Sequence, residues 1–124
     1  MAKYAQFITY KGKRILFVNA AGLPEAECLE AFEEMKQALL KEGKGVLVLV
    51  DMSGMEKMTT AVVNKVKEAT AATKAIGIKD KPNAVVGLSG LQKAVAQLFG
   101  RGINFVDTVE EGKERLVRED DKKR

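Results

Sequence analysis

The run Val46-Leu47-Val48-Leu49-Val50, closed by Asp51, constrains this chain more than any other stretch. Side chains along a strand point alternately to opposite faces, so a strand that is apolar at every position needs cover on both. That is the mark of a central strand in a parallel sheet with helices on its faces. The flanking sequence supplies the other parts. Phe7 to Tyr10 and Arg14 to Asn19 are rich in β-branched and aromatic residues, and Lys11-Gly12-Lys13 between them offers a glycine for a tight turn. The pair reads as a β-hairpin. Asn83 to Leu88 and Ile103 to Val106 read as two further short strands.

Helical patterns alternate with these strands. After Gly22-Leu23-Pro24, Cys28, Phe32, Met35 and Leu39 recur at helical spacing, with Glu25 and Glu27 near the start and Lys41 and Gly43 near the stop. Cys28 lies on that stripe and reads as a packed small hydrophobe rather than a reactive thiol. Thr59 or Thr60 caps a second helix with the stripe Val62, Val66, Ala69, ended by Gly77. Ser89-Gly90-Leu91-Gln92 forms a capping box before Leu91, Val95, Leu98 and Phe99. Thr108-Val109-Glu110-Glu111 forms another, opening a helix to about Val117. The expected fold is therefore α/β: a hairpin followed by alternating elements, with about five strands, mostly parallel, and about four helices. One domain covers residues 1–117. Residues 118–124 carry no apolar side chain and are expected to fray as a charged tail.

Composition removes several function classes. The 124 residues include no histidine, so neither a Ser-His-Asp triad nor a Cys-His pair can form within the chain. One cysteine allows no internal disulfide and no multi-cysteine zinc site, and no cofactor or metal is expected. No apolar run reaches the length of a membrane span, and no signal-peptide core opens the sequence, so a cytoplasmic protein is expected. A net charge of +4 is too mild to argue for nucleic acid. The charge is uneven, however. Glu25, Glu27, Glu30, Glu33, Glu34 and Glu42 fall in one stretch, and Lys57, Lys65, Lys67, Lys74, Lys79 and Lys81 in another. This predicts an acidic and a basic face, suited to oriented docking on a protein.

Ligands of open parallel sheets sit beyond the carboxyl ends of the strands. Here those ends are residues 51–60, Leu88-Ser89-Gly90 and Asp107-Thr108. Asp51 can serve as a metal ligand, a general base or a cap for its own loop, and without a second carboxylate in the motif the loop cap is the simplest reading. Thr59 and Thr60 are helix caps or hydroxyls open to modification. Met52, Met55 and Met58 are either an adaptable contact surface or core filler. Ser89 and Gly90 either begin a capped helix or form an edge for an anion. No acid–base pair emerges, so a non-enzymatic protein is expected.

The stretch from Val46 through Asp51-Met52-Ser53, the loop to Met58, and Thr59-Thr60 resembles the signature of STAS domains, the family of bacterial anti-sigma-factor antagonists and of the cytoplasmic domains of sulfate transporters. The segments 83–93, Gly100-Arg101 and 105–111 resemble small stand-alone bacterial members, and with the hairpin the likeness spans about Phe7 to Val117. The resemblance implies that Thr60 falls on the phospho-acceptor and Thr59 on the aspartate before it. It implies a partner that is a kinase, an anti-sigma-like or a receptor-like protein, bound by the unmodified domain and released on phosphorylation. Asp51, Met52, Ser53, Met55, Lys57 and Met58 would form the partner-binding edge. Thr59 and the pair Ala61-Val62 depart from the family pattern of Asp and Ser-Gly. The alternative reading is a small-ligand module that takes an acyl chain or an anion at the same strand ends. A homodimer is a further expectation, since a second copy can cover the two-sided strands.

Overall fold

The computed structural model describes residues 3–42, 46–54, 59–75, 83–87 and 103–122. Strands β1 (Ala5–Tyr10) and β2 (Lys13–Asn19) form the expected hairpin. Its two turn residues, Lys11 and Gly12, have φ of 50° and 79°, the left-handed pair of a turn whose twist matches that of the strands. β2 then runs parallel to β3 (Leu47–Asp51), β3 to β4 (Asn83–Val86) and β4 to β5 (Ile103–Val106). The sheet order is β1-β2-β3-β4-β5, so the all-apolar strand occupies the centre.

The alternation of β3 sorts the core into two halves. Val48 and Val50 face α1 (Glu25–Glu42) and α2 (Thr60–Ala75), with Phe32, Met35, Val62 and Val66 packed in the same layer. Leu47 and Leu49 face α3 (Val109–Lys122), with Ile15, Ala84, Val86, Val106 and Leu116. Gly112 of α3 lies so close to the sheet that a Cβ there would stand 2.6 Å from Leu49 Cδ1. Cys28 is fully buried, and burial pushes its thiol up to about 11. Both faces of β3 are thus covered within one chain, which removes the sheet's own need for a second copy.

Two expectations are corrected. Helix α3 does not end near Val117 but continues to Lys122. Its last turns are tied to the hairpin: Lys13 Nζ lies 2.8 Å from Asp120 Oδ2 and 3.0 Å from Asp121 Oδ1, and Asp120 is only 6% exposed. Tyr10 donates to Glu114, which also pairs with Lys11 at 2.7 Å. Tertiary ion pairs hold a segment that lacks apolar residues of its own. The second correction concerns charge. Helices α1 and α2 lie side by side, and Glu33 binds both Lys65 and Lys36, while Glu68 binds both lysines at 2.9 Å. The acidic and basic stretches in part hold each other instead of forming separate faces. Three of the about four expected helices are present among the described residues. The helix expected from Leu91 to Phe99 lies outside them.

Candidate functional site

The carboxyl ends of the strands continue into one another through backbone hydrogen bonds. Ala20 N donates to Asp51 O (2.9 Å), Met52 N to Val86 O (3.0 Å) and Gly87 N to Val106 O (3.0 Å). The loop after β3 is closed from within: Asp51 Oδ1 accepts from Ser53 N at 2.9 Å and from Ser53 Oγ at 2.7 Å. An aspartate bonded to the backbone two residues on mimics a backbone turn. Gly22 N donates to Ser53 O at 2.9 Å, which fixes the same loop to the segment after β2. Gly87 adopts φ +83°, and a Cβ there would meet Ser53 Cα at 2.6 Å. The loops after β3 and β4 therefore cross in direct backbone contact, and only glycine permits it.

Thr59 Oγ1 accepts from Val62 N at 3.3 Å, the N-cap bond of α2. Thr60 follows as the first helical residue, and it is exposed. The first turn of α2 holds no acidic residue, whereas those of α1 and α3 hold Glu25 and Glu27, and Glu110 and Glu111. Beside this helix start the N-terminal halves of α1 and α2 part to leave a shallow groove of about 480 Å³. Ala26 and Leu29 line it from α1, and Ala61 and Asn64 from α2. Its far end is closed by the Glu33–Lys65–Glu68 ion pairs. Hydrogen bonds from Lys65, Gln37 and Lys36 hold the Glu33 carboxyl down at about 2.

No protein-family model matches the chain, and no curated protein matches it. Solved structures do. RsbS of Moorella thermoacetica, in a serine-to-glutamate variant, superposes with a TM-score of 0.62 at 14% identity, over 92% of this chain and 95% of that one. An anti-sigma-factor antagonist (STAS) domain protein of Planctomyces limnophilus gives 0.54 at 13% identity, over 91% and 97%. A chain of the stressosome, described as a signal integration and transduction hub, gives 0.55 at 15% identity, over 91% and 96%. The fold is that of STAS domains. At these identities the likeness is one of backbone architecture, and it extends over nearly the whole of both chains.

Within this STAS fold the residues singled out from sequence divide into three groups. Asp51, Ser53, Thr59 and Thr60 gather at the carboxyl edge, with Asp51 in the loop-capping role. Met52 does not belong to a partner surface: its side chain is 1% exposed and packs in the α1–α2 core layer. It shares the strand parity of Val48 and Val50, which turns it inward. Met55, Lys57, Met58, Ser89 and Gly90 lie outside the described residues. Two features were missed. Gly87 gave the signal of a glycine directly after an apolar strand; the groove gave none, because it depends on how α1 and α2 meet. Among the described residues no group of three potential metal ligands occurs, and no helix is long and apolar enough to cross a membrane.

Proposed function

We propose that this chain is a non-enzymatic regulatory module that docks a protein partner at the carboxyl edge of its sheet, with phosphorylation of Thr60 as the switch. One observation carries the reading. Helix α2 opens on an exposed threonine, its cap position is already filled by Thr59, and no carboxylate occupies its first turn. A kinase would form a bond from Thr60 Oγ1 to the γ-phosphorus of ATP, with ADP leaving and the hydroxyl proton lost to solvent. The product carries about −1.5 to −2 charges where helix dipole and unpaired amides favour an anion. Thr59 is the poorer acceptor because its oxygen already caps the helix. The kinship of fold with RsbS, with a STAS anti-sigma-factor antagonist and with the stressosome supports a partner that is a kinase, an anti-sigma-like or a receptor-like protein. The cytoplasm, where ATP is supplied, is the matching compartment.

Incubation with a lysate of the source organism and ATP should add one phosphate to the wild type and none to Thr60→Ala. Partner capture should differ by about tenfold between wild type and Thr60→Glu, as charge changes at docking surfaces do. Threonines 59 and 60 both unmodified, together with equal capture by the two proteins, would overturn the reading.

A further inference from the structure

We infer that the α1–α2 groove seats a cationic segment of the partner protein, an aliphatic side chain entering against Leu29 and an arginine or lysine meeting Glu30 and Glu33. The inference rests on the docking reading above and names the partner's chemistry. Ala26 and Ala61 are too short to fill the gap between the helices at this level, which leaves an apolar floor beside half-buried Leu29. The rim carries Glu30, Glu33 and Glu68 against the ammoniums of Lys65 and Lys36, which leaves one negative charge in excess. Both ammoniums are held by Glu33 and Glu68, and Glu30 stands outside these pairs. Exposed Glu30 lies on the α1 wall, towards the helix start. An apolar slot beneath an acidic rim accepts an aliphatic side chain next to a cation and repels an acidic peptide.

The sign of the switch follows. Thr60 precedes Ala61 of the groove, so a phosphate there lies within a Debye length of the rim. It adds negative charge to an acidic mouth and tightens the grip on a cationic segment, the reverse of the release implied by the family resemblance.

The test uses the full chain and two short helical peptides, alike in a leucine face, one flanked by arginines and its twin by glutamates. With isotope-labelled protein, the arginine peptide should shift amide resonances at residues 26–33 and 61–68, and its twin should not. Glu30→Lys, an exposed change expected to leave the circular dichroism unaltered, should weaken binding about tenfold, and Thr60→Glu should tighten it. Shifts elsewhere, equal binding of the twins, or indifference to Glu30→Lys overturns the groove. If neither peptide binds while Thr60 is still phosphorylated and capture still responds, the groove falls and the docking module stands. If the arginine peptide binds in the groove while Thr60 stays unmodified, the groove stands and the switch falls.

Discussion

Helices α2 and α3 begin on the same kind of cap and differ in the turn that follows. Each is capped by a threonine: Thr59 accepts from Val62 N at 3.3 Å, and Thr108 accepts from Glu111 N at 3.1 Å. At α3 the first turn also carries Glu110 and Glu111, and the Glu111 carboxylate accepts from Asp107 N at 2.9 Å. The dipole and the leading amide are satisfied there by the chain's own carboxylates. At α2 the same cap is followed by Thr60, Ala61, Val62 and Val63, with no carboxylate in the first turn. A helix start that only needs to be stable is finished in the manner of α3. The first turn of α2 lacks the carboxylates that complete the start of α3.

The largest expected effect tests whether the α2 side is rigidly built. Gly87→Ala sets a Cβ against the Ser53 backbone at a positive φ, and should lower the unfolding free energy by about 3 kcal/mol in urea titrations. Gly112→Ala in α3 meets the end of the Leu49 side chain instead, and a helical alanine recovers part of the loss, so about 1 kcal/mol is expected. Equal losses would mean that the loop crossing yields as readily as a side chain.

Cap removal comes next. Thr108→Ala should cost about 1 kcal/mol, and Thr59→Ala somewhat less because its bond is longer. The reverse order in thermal denaturation would undo the contrast between the two starts. Thr60→Glu should then stabilise the fold by about 0.5 kcal/mol by supplying the missing charge, an effect that added salt removes. A destabilised Thr60→Glu protein would show that the α2 start tolerates no anion.

The smallest effect concerns the contact of α1 with α2. Hydrogen bonds from Lys65, Gln37 and Lys36 lower the Glu33 carboxyl from 4.5 to about 2. Its folded value lies below its unfolded one, so its contribution is complete above about 4.5 and disappears as the pH falls towards 2. Glu33→Gln should flatten the melting temperature across that window. An unchanged acid profile would assign the acid sensitivity elsewhere.

Local patterns made most of the frame legible. The central position of β3 follows from an apolar run with no polar face, and the α1 stripe of Cys28, Phe32, Met35 and Leu39 is buried as its spacing predicts. The loop role of Asp51 could be read because its partner, Ser53, is two residues away. What escaped depends on contacts distant in sequence. Residues 118–122 look solvated until Lys13 is brought to Asp120, and Glu33 looks like part of an acidic face until α2 carries Lys65 to it. Met52 stood between two readings because the strand was expected to end at Asp51. Continued alternation past that residue decides for the core.

The order β1-β2-β3-β4-β5 has a consequence for the chain as it leaves the ribosome. Each strand can join a neighbour that has already been made, so the sheet grows by addition at one edge. The helix that shelters Leu47, Leu49, Val86 and Val106 is translated only after all five strands. Until then the nascent sheet shows an oily flank, and that interval is when a chaperone has most to gain by holding it.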